Sequence, residues 1–301
     1  MINYTLAPIC LFTYNRLAET KKTIVSLQQN FLAKQSDLYI FSDGSKIQDA
    51  TVKVEDVRGY LKTVGGFRSV TIFESSINKG LANSIIDGVT TILESNESVI
   101  VLEDDLVSSP NFLDFMNQSL NYYKDSTTIF SVTGWSLDLK SLNEIESDFY
   151  LCYRMSSWGW GIWKDRWDQI QWDKSHFKSF SISYKKQYSF RRGGSDLPGM
   201  LRDYLHGKNN SWAIRACYHQ FENDLLTLAP QKSKISNVGF GKNATHTKLV
   251  NRYDQQLDDS LQRSFNFSND IAVNAKIVSE FKNKFSLFTR IKSKINALWP
   301  Y

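Results

Sequence analysis

The feature that most constrains this chain is an alternation, from Pro8 to Leu120, of short apolar runs with longer amphipathic ones. Pro8 to Tyr14 reads as a buried strand, and Leu17, Ile24, Leu27 and Phe31 then recur near helical spacing. Leu38 to Phe41 is a second strand, ending at Ser42-Asp43-Gly44-Ser45. A polar helix is predicted over 49–64 and a strand over 69–74. Leu81, Ala82, Ile85, Ile86, Val89, Ile92 and Leu93 then fall on one helix face. Val99 to Leu102 is a strand running into Glu103-Asp104-Asp105, and Pro110 marks a further helix start ahead of Phe112, Phe115, Met116 and Leu120. Strand–helix units in this order predict an α/β fold with a mostly parallel sheet between helical layers. Such sheets bind ligands outside the carboxyl ends of their strands. The residues to inspect are therefore Asn15, Arg16, Asp43, Asn78, Lys79, Gly80 and Glu103 to Asp105.

The second half is less regular. Strands are predicted at Phe130–Thr133 and Phe149–Tyr153, followed by the aromatic run SSWGWGIWKDRW. Helices are expected over 195–206 and 211–223, then the polar stretch SNVGFGKNATHT. No internal repeat and no linker rich in Pro, Gly or Ser divides the halves. From about 277 the character changes: Phe281, Phe285, Phe288, Ile291, Ile295, Leu298 and Trp299 recur at helical spacing among Lys282, Lys284, Arg290, Lys292 and Lys294. A basic amphipathic helix of this kind reads as membrane-surface binding, or equally as a helix packed on its own domain with a solvated basic face.

Composition removes several classes. Charged residues at 22%, aromatics at 14% and five prolines argue against disorder. A formal charge of +5 is mild for a duplex-binding protein, and no nucleic-acid motif is present. Cys10, Cys152 and Cys217 are far apart and odd in number, which excludes a disulfide framework and a cysteine zinc site. With no signal-peptide pattern and no membrane-spanning run, the expectation is a cytoplasmic protein, with the inner membrane face as a possible peripheral site.

The acidic run carries the sharpest chemistry. Three acids directly after a buried strand repel one another, so a nearby cation is the natural compensation. Carboxylate oxygens suit Mg²⁺ or Mn²⁺ rather than zinc. TYNR after the first strand, SDGS after the second, NKGLANS opening a helix and LEDD after a later strand together resemble a GT-A glycosyltransferase. The pattern is most similar to bacterial sugar transferases related to the N-acetylglucosaminyltransferase I group, over residues 7–250.

That resemblance implies a GT-A domain over 1–265, with a nucleotide-sugar half at 1–125 and an acceptor half at 126–265, and a basic tail at 266–301. It implies that Thr13, Tyr14, Asn15 and Arg16 contact the nucleotide and that Asp43 accepts the N–H of uracil. Lys79 and Gly80 would face an anion at a helix N-terminus. Asp104 would hold the ribose, Asp105 the divalent metal, and Glu103 would lie beside the sugar. The implied cofactors are Mn²⁺ or Mg²⁺ and a nucleotide-sugar, with UDP the expected nucleotide. The implied acceptor is a cell-surface or lipid-linked glycan.

Trp158, Gly159, Trp160 and Trp212 are the candidate acceptor-binding residues, since Trp and Gly in alternation offer flat apolar faces beside accessible backbone. A core aromatic cluster is the competing reading. An inverting transferase needs a carboxylate to take the acceptor's proton. The position matching the family's Asp is Asn210, before Ser211-Trp212-Ala213-Ile214-Arg215, so Glu103, Asp203 and Asp165 stand as candidate bases. His246 is a candidate metal or diphosphate ligand. Two alternatives stay open: a nucleotidyltransferase, disfavoured because TYNRLAET has no glycine, and a catalytically inactive carbohydrate-binding protein of the same fold.

Overall fold

The structure, a computed structural model, describes residues 4–239, 256–270 and 272–298. The expected units form in order: β1 (Ile9–Thr13), α1 (Leu17–Gln28), β2 (Asp37–Ser42), α2 (Gln48–Leu61), β3 (Ser69–Glu74), α3 (Leu81–Leu93) and β4 (Ser98–Glu103). Then come β5 (Leu106–Ser108), α4 (Phe112–Tyr122), β6 (Ile129–Thr133), β7 (Phe149–Cys152), β8 (Trp160–Trp163) and the short α5 (Lys164–Trp167). Helices α6 (Lys178–Ser181), α7 (Tyr184–Phe190), α8 (Leu197–Leu205) and α9 (Trp212–Glu222) precede β9 (Leu226–Pro230) and β10 (Ile235–Asn237). Helices α10 (Ala275–Lys284) and α11 (Leu287–Leu298) end the described chain.

Eight strands form one sheet in the order β3-β2-β1-β4-β8-β6-β9-β7. Six run parallel, while β8 and β7 run against their neighbours. The chain winds outward from β1 to β3, then returns to place β4 on the other side of β1. That reversal is a topological switch point, where such sheets open a crevice at their carboxyl ends.

The period-2 alternation of strands divides the core between two faces. Ile9, Leu11, Ile100 and Leu102 pack on the side of α1, α4 and α10. Cys10, Phe12, Val99 and Val101 pack on the side of α3 and α9. Helix α3 comes so close to the sheet that a Cβ on Gly88 would lie 2.8 Å from the Phe12 ring.

Four strands were not expected: the short β5 and β8 to β10. Strand β8 comes from the aromatic run and sits mid-sheet between β4 and β6. Strand β9 is short and ends at Pro230. Strand β10 pairs antiparallel with β5, Asn237 opposite Leu106, and brings the late chain back beside the acidic run. The basic C-terminal segment is two helices, and their surroundings differ. Ile277, Phe281 and Phe285 are buried in the domain core, whereas Leu287, Phe288 and Ile291 are exposed. Among the described residues, no helix is long and apolar enough to cross a membrane.

A buried ion pair ties residues 256–270 to the sheet. Lys234 and Asp258 are bonded with both side chains almost fully enclosed. Asn111 Nδ2 also donates to Asp258 at 2.9 Å, and the Lys234 ammonium lies 5.0 Å from the Phe265 ring. Burial pulls the Asp258 pKa upward, but Lys234 and Asn111 outweigh it and hold the carboxyl below its usual range. The depressed folded pKa means this contribution is present above the unfolded carboxylate pKa and is lost as pH falls through the folded one. Asp258→Ala is expected to cost about 3–5 kcal/mol in urea unfolding, because it strands a buried ammonium. The double variant Lys234→Met with Asp258→Leu should recover most of that loss; equal losses in both would contradict the buried-charge account.

Candidate functional site

The crevice at the switch point is a cleft of about 430 Å³, lined by the ends of β1, β2 and β4, the start of α3, Trp158, Asn237 and Gly239. It gathers Thr13, Tyr14, Asn15, Arg16, Asp43, Gly80, Glu103, Asp104 and Asp105, all named by the sequence.

The acids are packed into the end of β4. Burial, reinforced by the charges of Asp105 and Asp104, pushes Glu103 up to about 8. Burial likewise raises Asp104 to about 6, against the pull of Arg16. Arg16 answers them: its guanidinium bonds Asp104 and donates to Asp105 Oδ2 at 3.0 Å. The Tyr14 N–H donates to Asp104 Oδ2 at 3.3 Å, and the Thr23 hydroxyl donates to the Asp104 carbonyl at 2.9 Å. Asn237 Nδ2 approaches Asp105 Oδ1 at 3.4 Å, and the Val238 N–H donates to the Asp105 carbonyl at 2.9 Å. A Cβ on Gly239 would lie 2.1 Å from Asp105 Oδ2, so only glycine lets the chain pass there.

The oxygens of Glu103, Asp104 and Asp105 suit a hard divalent cation, whose charge would offset the burial and mutual repulsion that raise two of these carboxyls. Among the described residues, no group of three or more His, Cys, Asp or Glu side chains forms a complete metal cage.

Asp43 is committed more heavily than the sequence implied. Its Oδ1 accepts from Gly44 N–H at 2.9 Å and Lys79 N–H at 2.8 Å, and its Oδ2 accepts from Gly80 N–H at 3.0 Å. One lone pair of Oδ2 is left for a ligand, since a carboxylate offers about four acceptor sites. Arg58 braces the same corner, donating to the carbonyls of Ser42, Asp43 and Ser75.

Several sequence expectations need correction. The Lys79 side chain turns out of the cleft to pair with Asp87 at 2.9 Å; only its backbone N–H serves Asp43. Trp160 and Trp212 are core residues, stacked on each other at 4.7 Å and continued by Trp167 at 5.8 Å from Trp160. Neither can reach a sugar. Gly159 is buried at φ +58°, where a Cβ would meet Ile235 at 2.6 Å, so its part is a tight backbone turn. Trp158 does line the cleft. Asp165 is exposed on α5, which follows β8 at the amino end of β4, since Trp163 pairs with Ser98. Asp203 is exposed on α8 with Lys208 3.9 Å away and does not line the cleft. Asn210 is an exposed residue just before Ser211, which caps α9. His246, like Lys242, Lys248 and Trp299, lies outside the described residues.

Lys46, Ser84, Asn237 and Gly239 line the cleft but were not singled out. Lys46 follows SDGS by one residue and Asn237 opens the late glycine-containing stretch, so adjacency to a motif was the available signal.

No family model matches the chain. In sequence it is similar to an alpha-1,3-mannosyl-glycoprotein 2-beta-N-acetylglucosaminyltransferase of Arabidopsis thaliana, 21% identical over 210 residues, 65% of this chain and 46% of that protein. The chain thus spans about half the length of the curated relative it matches. Among solved structures it is similar to mannosyltransferase PcManGT from Pyrobaculum calidifontis in complex with GDP-Man and Mn²⁺. That match has 11% identity, covers 72% of this chain and 74% of the other, and has a TM-score of 0.41. It is also similar to S. aureus TarS 1–349, at 10% identity, 76% and 59% coverage and a TM-score of 0.40. Those superpositions are too loose to carry residue correspondences. The sequence similarity is thus to a glycosyltransferase, and the fold sets an acidic cluster at the switch point of a mostly parallel sheet.

Asp43→Ala would leave the Lys79 and Gly80 N–H groups without their acceptor, while the Gly44 N–H keeps the Ile77 carbonyl at 3.2 Å. An expected loss of about 1–3 kcal/mol in ligand-free unfolding follows; unchanged stability would show that the carboxylate serves a ligand alone.

Proposed function

We propose that this chain is a metal-dependent glycosyltransferase that moves a sugar from a nucleotide-sugar, with UDP the favoured nucleotide, to a hydroxyl of a cell-surface or lipid-linked glycan. The observation that carries this reading is the Glu103-Asp104-Asp105 cluster at the switch-point cleft, with Arg16 set against it. In the transfer, the acceptor oxygen bonds to the anomeric carbon as the bond to the diphosphate breaks, its electron pair leaving on the diphosphate. The acceptor's proton is given up to a base, and inversion is the expected outcome.

Asp105 would hold Mn²⁺ or Mg²⁺, which supplies neutralisation of the charge gathering on the leaving group. Asp104 would take the ribose, and Tyr14, Asn15 and Arg16 the rest of the nucleotide. Asp43 keeps one acceptor site for the N–H of uracil. Lys46 adds a cation at the rim. Of the acids considered as base, Glu103 alone lines the cleft. A second reading, a sugar-binding protein without turnover, rests on Asn210, whose amide cannot act as a base at neutral pH. Transfer from a UDP-sugar, as against binding alone, separates the two.

UDP with Mn²⁺ at ~100 times Kd should add roughly 2.7 kcal/mol to thermal stability. The gain should vanish with EDTA and in Asp105→Ala. No stabilisation by UDP, GDP, dTDP or CDP would defeat the transferase reading.

We also propose peripheral contact with an anionic membrane, now assigned to α11 rather than to the whole tail. Helix α10 spends its apolar residues on the core, so its removal would test folding, not binding. Helix α11 exposes Leu287, Phe288 and Ile291 beside Arg290 and Lys292. Phe288→Ser with Ile291→Ser is expected to weaken binding to phosphatidylserine vesicles at least tenfold in sedimentation assays, with the melting temperature unchanged. Undiminished binding would remove this role.

A further inference from the structure

A second cavity, of about 230 Å³, lies behind the cleft and shares Trp158 with it. Its walls come from the Thr133–Trp135 corner at the end of β6, the 150–158 segment, α8 with α9, Ala229 of β9, and Phe281 of α10 with Phe285 just after it. Trp135 meets Trp158 edge-on at 5.0 Å, and Trp158 borders both the cavity and the cleft.

The lining is mostly apolar, and most of its polar atoms already have work. The Thr133 hydroxyl donates to the Trp158 carbonyl at 3.3 Å and accepts from the Trp135 N–H at 3.1 Å. Ser156 Oγ accepts from the Trp158 N–H at 3.1 Å, and Ser211 Oγ accepts from the Ile214 N–H at 3.3 Å as the cap of α9. Arg154 is held by both oxygens of Asp196, at 2.8 and 3.0 Å, and stacks 4.1 Å over Phe285. The thiols of Cys152 and Cys217 donate to the carbonyls of Arg154 and Met155.

A sugar ring brings hydroxyls that need partners when buried, and leaving them unmet is costly. A wall that is mostly apolar, with most of its polar groups engaged with itself, disfavours such a guest. An alkyl or aromatic group asks for nothing but apolar surface. The volume is below the roughly 300–1,000 Å³ of sites for drug-sized ligands, which limits the guest to one ring or a short length of chain.

We infer that the cavity behind Trp158 is an acceptor subsite for the apolar, non-sugar part of the acceptor, an alkyl or prenyl chain next to the sugar or phosphate at which transfer occurs. The inference rests on the glycosyltransferase reading and deepens it by naming the acceptor class. Two further observations favour it. The cavity adjoins the donor cleft through one side chain, so a group seated in it keeps the neighbouring polar part of the same molecule at the cleft. One wall belongs to α10, whose continuation α11 carries the exposed Leu287, Phe288 and Ile291, so an amphiphile held in a bilayer and the cavity are served by the same pair of helices.

The test is a titration of the full chain with methyl, butyl, hexyl and octyl β-glucoside below their micelle concentrations, followed by tryptophan fluorescence, since Trp135 and Trp158 border the site. Affinity should rise about fourfold per added methylene, the gain for burying one CH₂, until the cavity is full. Ala213→Leu and Met200→Phe fill the space from different helices, and each should flatten the dependence on chain length while unfolding cooperatively. Asp105→Ala should keep the dependence while losing the response to UDP and Mn²⁺. Equal affinity for methyl and octyl glucoside, or an unchanged dependence in both filling variants, would overturn the subsite. Chain-length dependence in a protein that ignores every nucleotide would instead uphold an apolar-ligand cavity and overturn the transferase reading on which its acceptor role rests.

Discussion

Three carboxyl groups on consecutive residues, at the end of a strand buried in the middle of a sheet, need compensation that water cannot fully supply. The sheet order provides part of it. Because β1 lies beside β4 with Phe12 opposite Glu103, the loop leaving β1 delivers Arg16 to Asp104 and Asp105. The same adjacency lets Tyr14 and Thr23 fix Asp104 through backbone and hydroxyl contacts. The β5–β10 pairing brings Asn237 and Val238 to Asp105 from more than a hundred residues further on. Burial, with the neighbouring acids, keeps the pKa values of Glu103 and Asp104 raised in spite of the single cation of Arg16. The cleft is therefore matched to a divalent ion accompanied by an anionic ligand.

Trp158 and Trp160 differ by two residues, which in a regular strand would put them on the same face. They have different fates because the chain turns between them. Gly159, at φ +58°, ends the loop and starts β8. Beyond that turn, Trp160 points into the core against Trp167 and Trp212, while Trp158 stays on the loop side between the two cavities. One glycine thus separates a structural tryptophan from one that a ligand can touch.

The C-terminal pattern divides in a similar way. Its apolar residues keep helical spacing throughout, yet the helix breaks after Lys284 and resumes at Leu287. The Phe285 carbonyl accepts from the Ser195 hydroxyl at 2.9 Å, and Arg154 covers the Phe285 ring, which pins the first helix to the domain. The second helix is left with an exposed apolar face and basic neighbours.

Much of the site was legible because local rules wrote it. Apolar runs of strand length, helical spacing in α3 and polar residues directly after each strand fixed both the class of sheet and the cleft-lining residues Arg16, Asp43, Gly80 and Glu103 to Asp105. These follow from periodicity and from where parallel strands end, so neighbours in sequence are enough to find them. What only the tertiary structure decided depends on contacts that no local pattern specifies. Asp87 draws the Lys79 side chain away from the cleft, and β8 carries Asp165 to the far end of the sheet. Trp160 and Trp212 are buried by each other, and Asn237 reaches Asp105 through a strand pair that no local pattern announces. Side-chain burial and ion-pair choice are settled by which surfaces meet, and the meeting of surfaces is not written in a run of neighbouring residues.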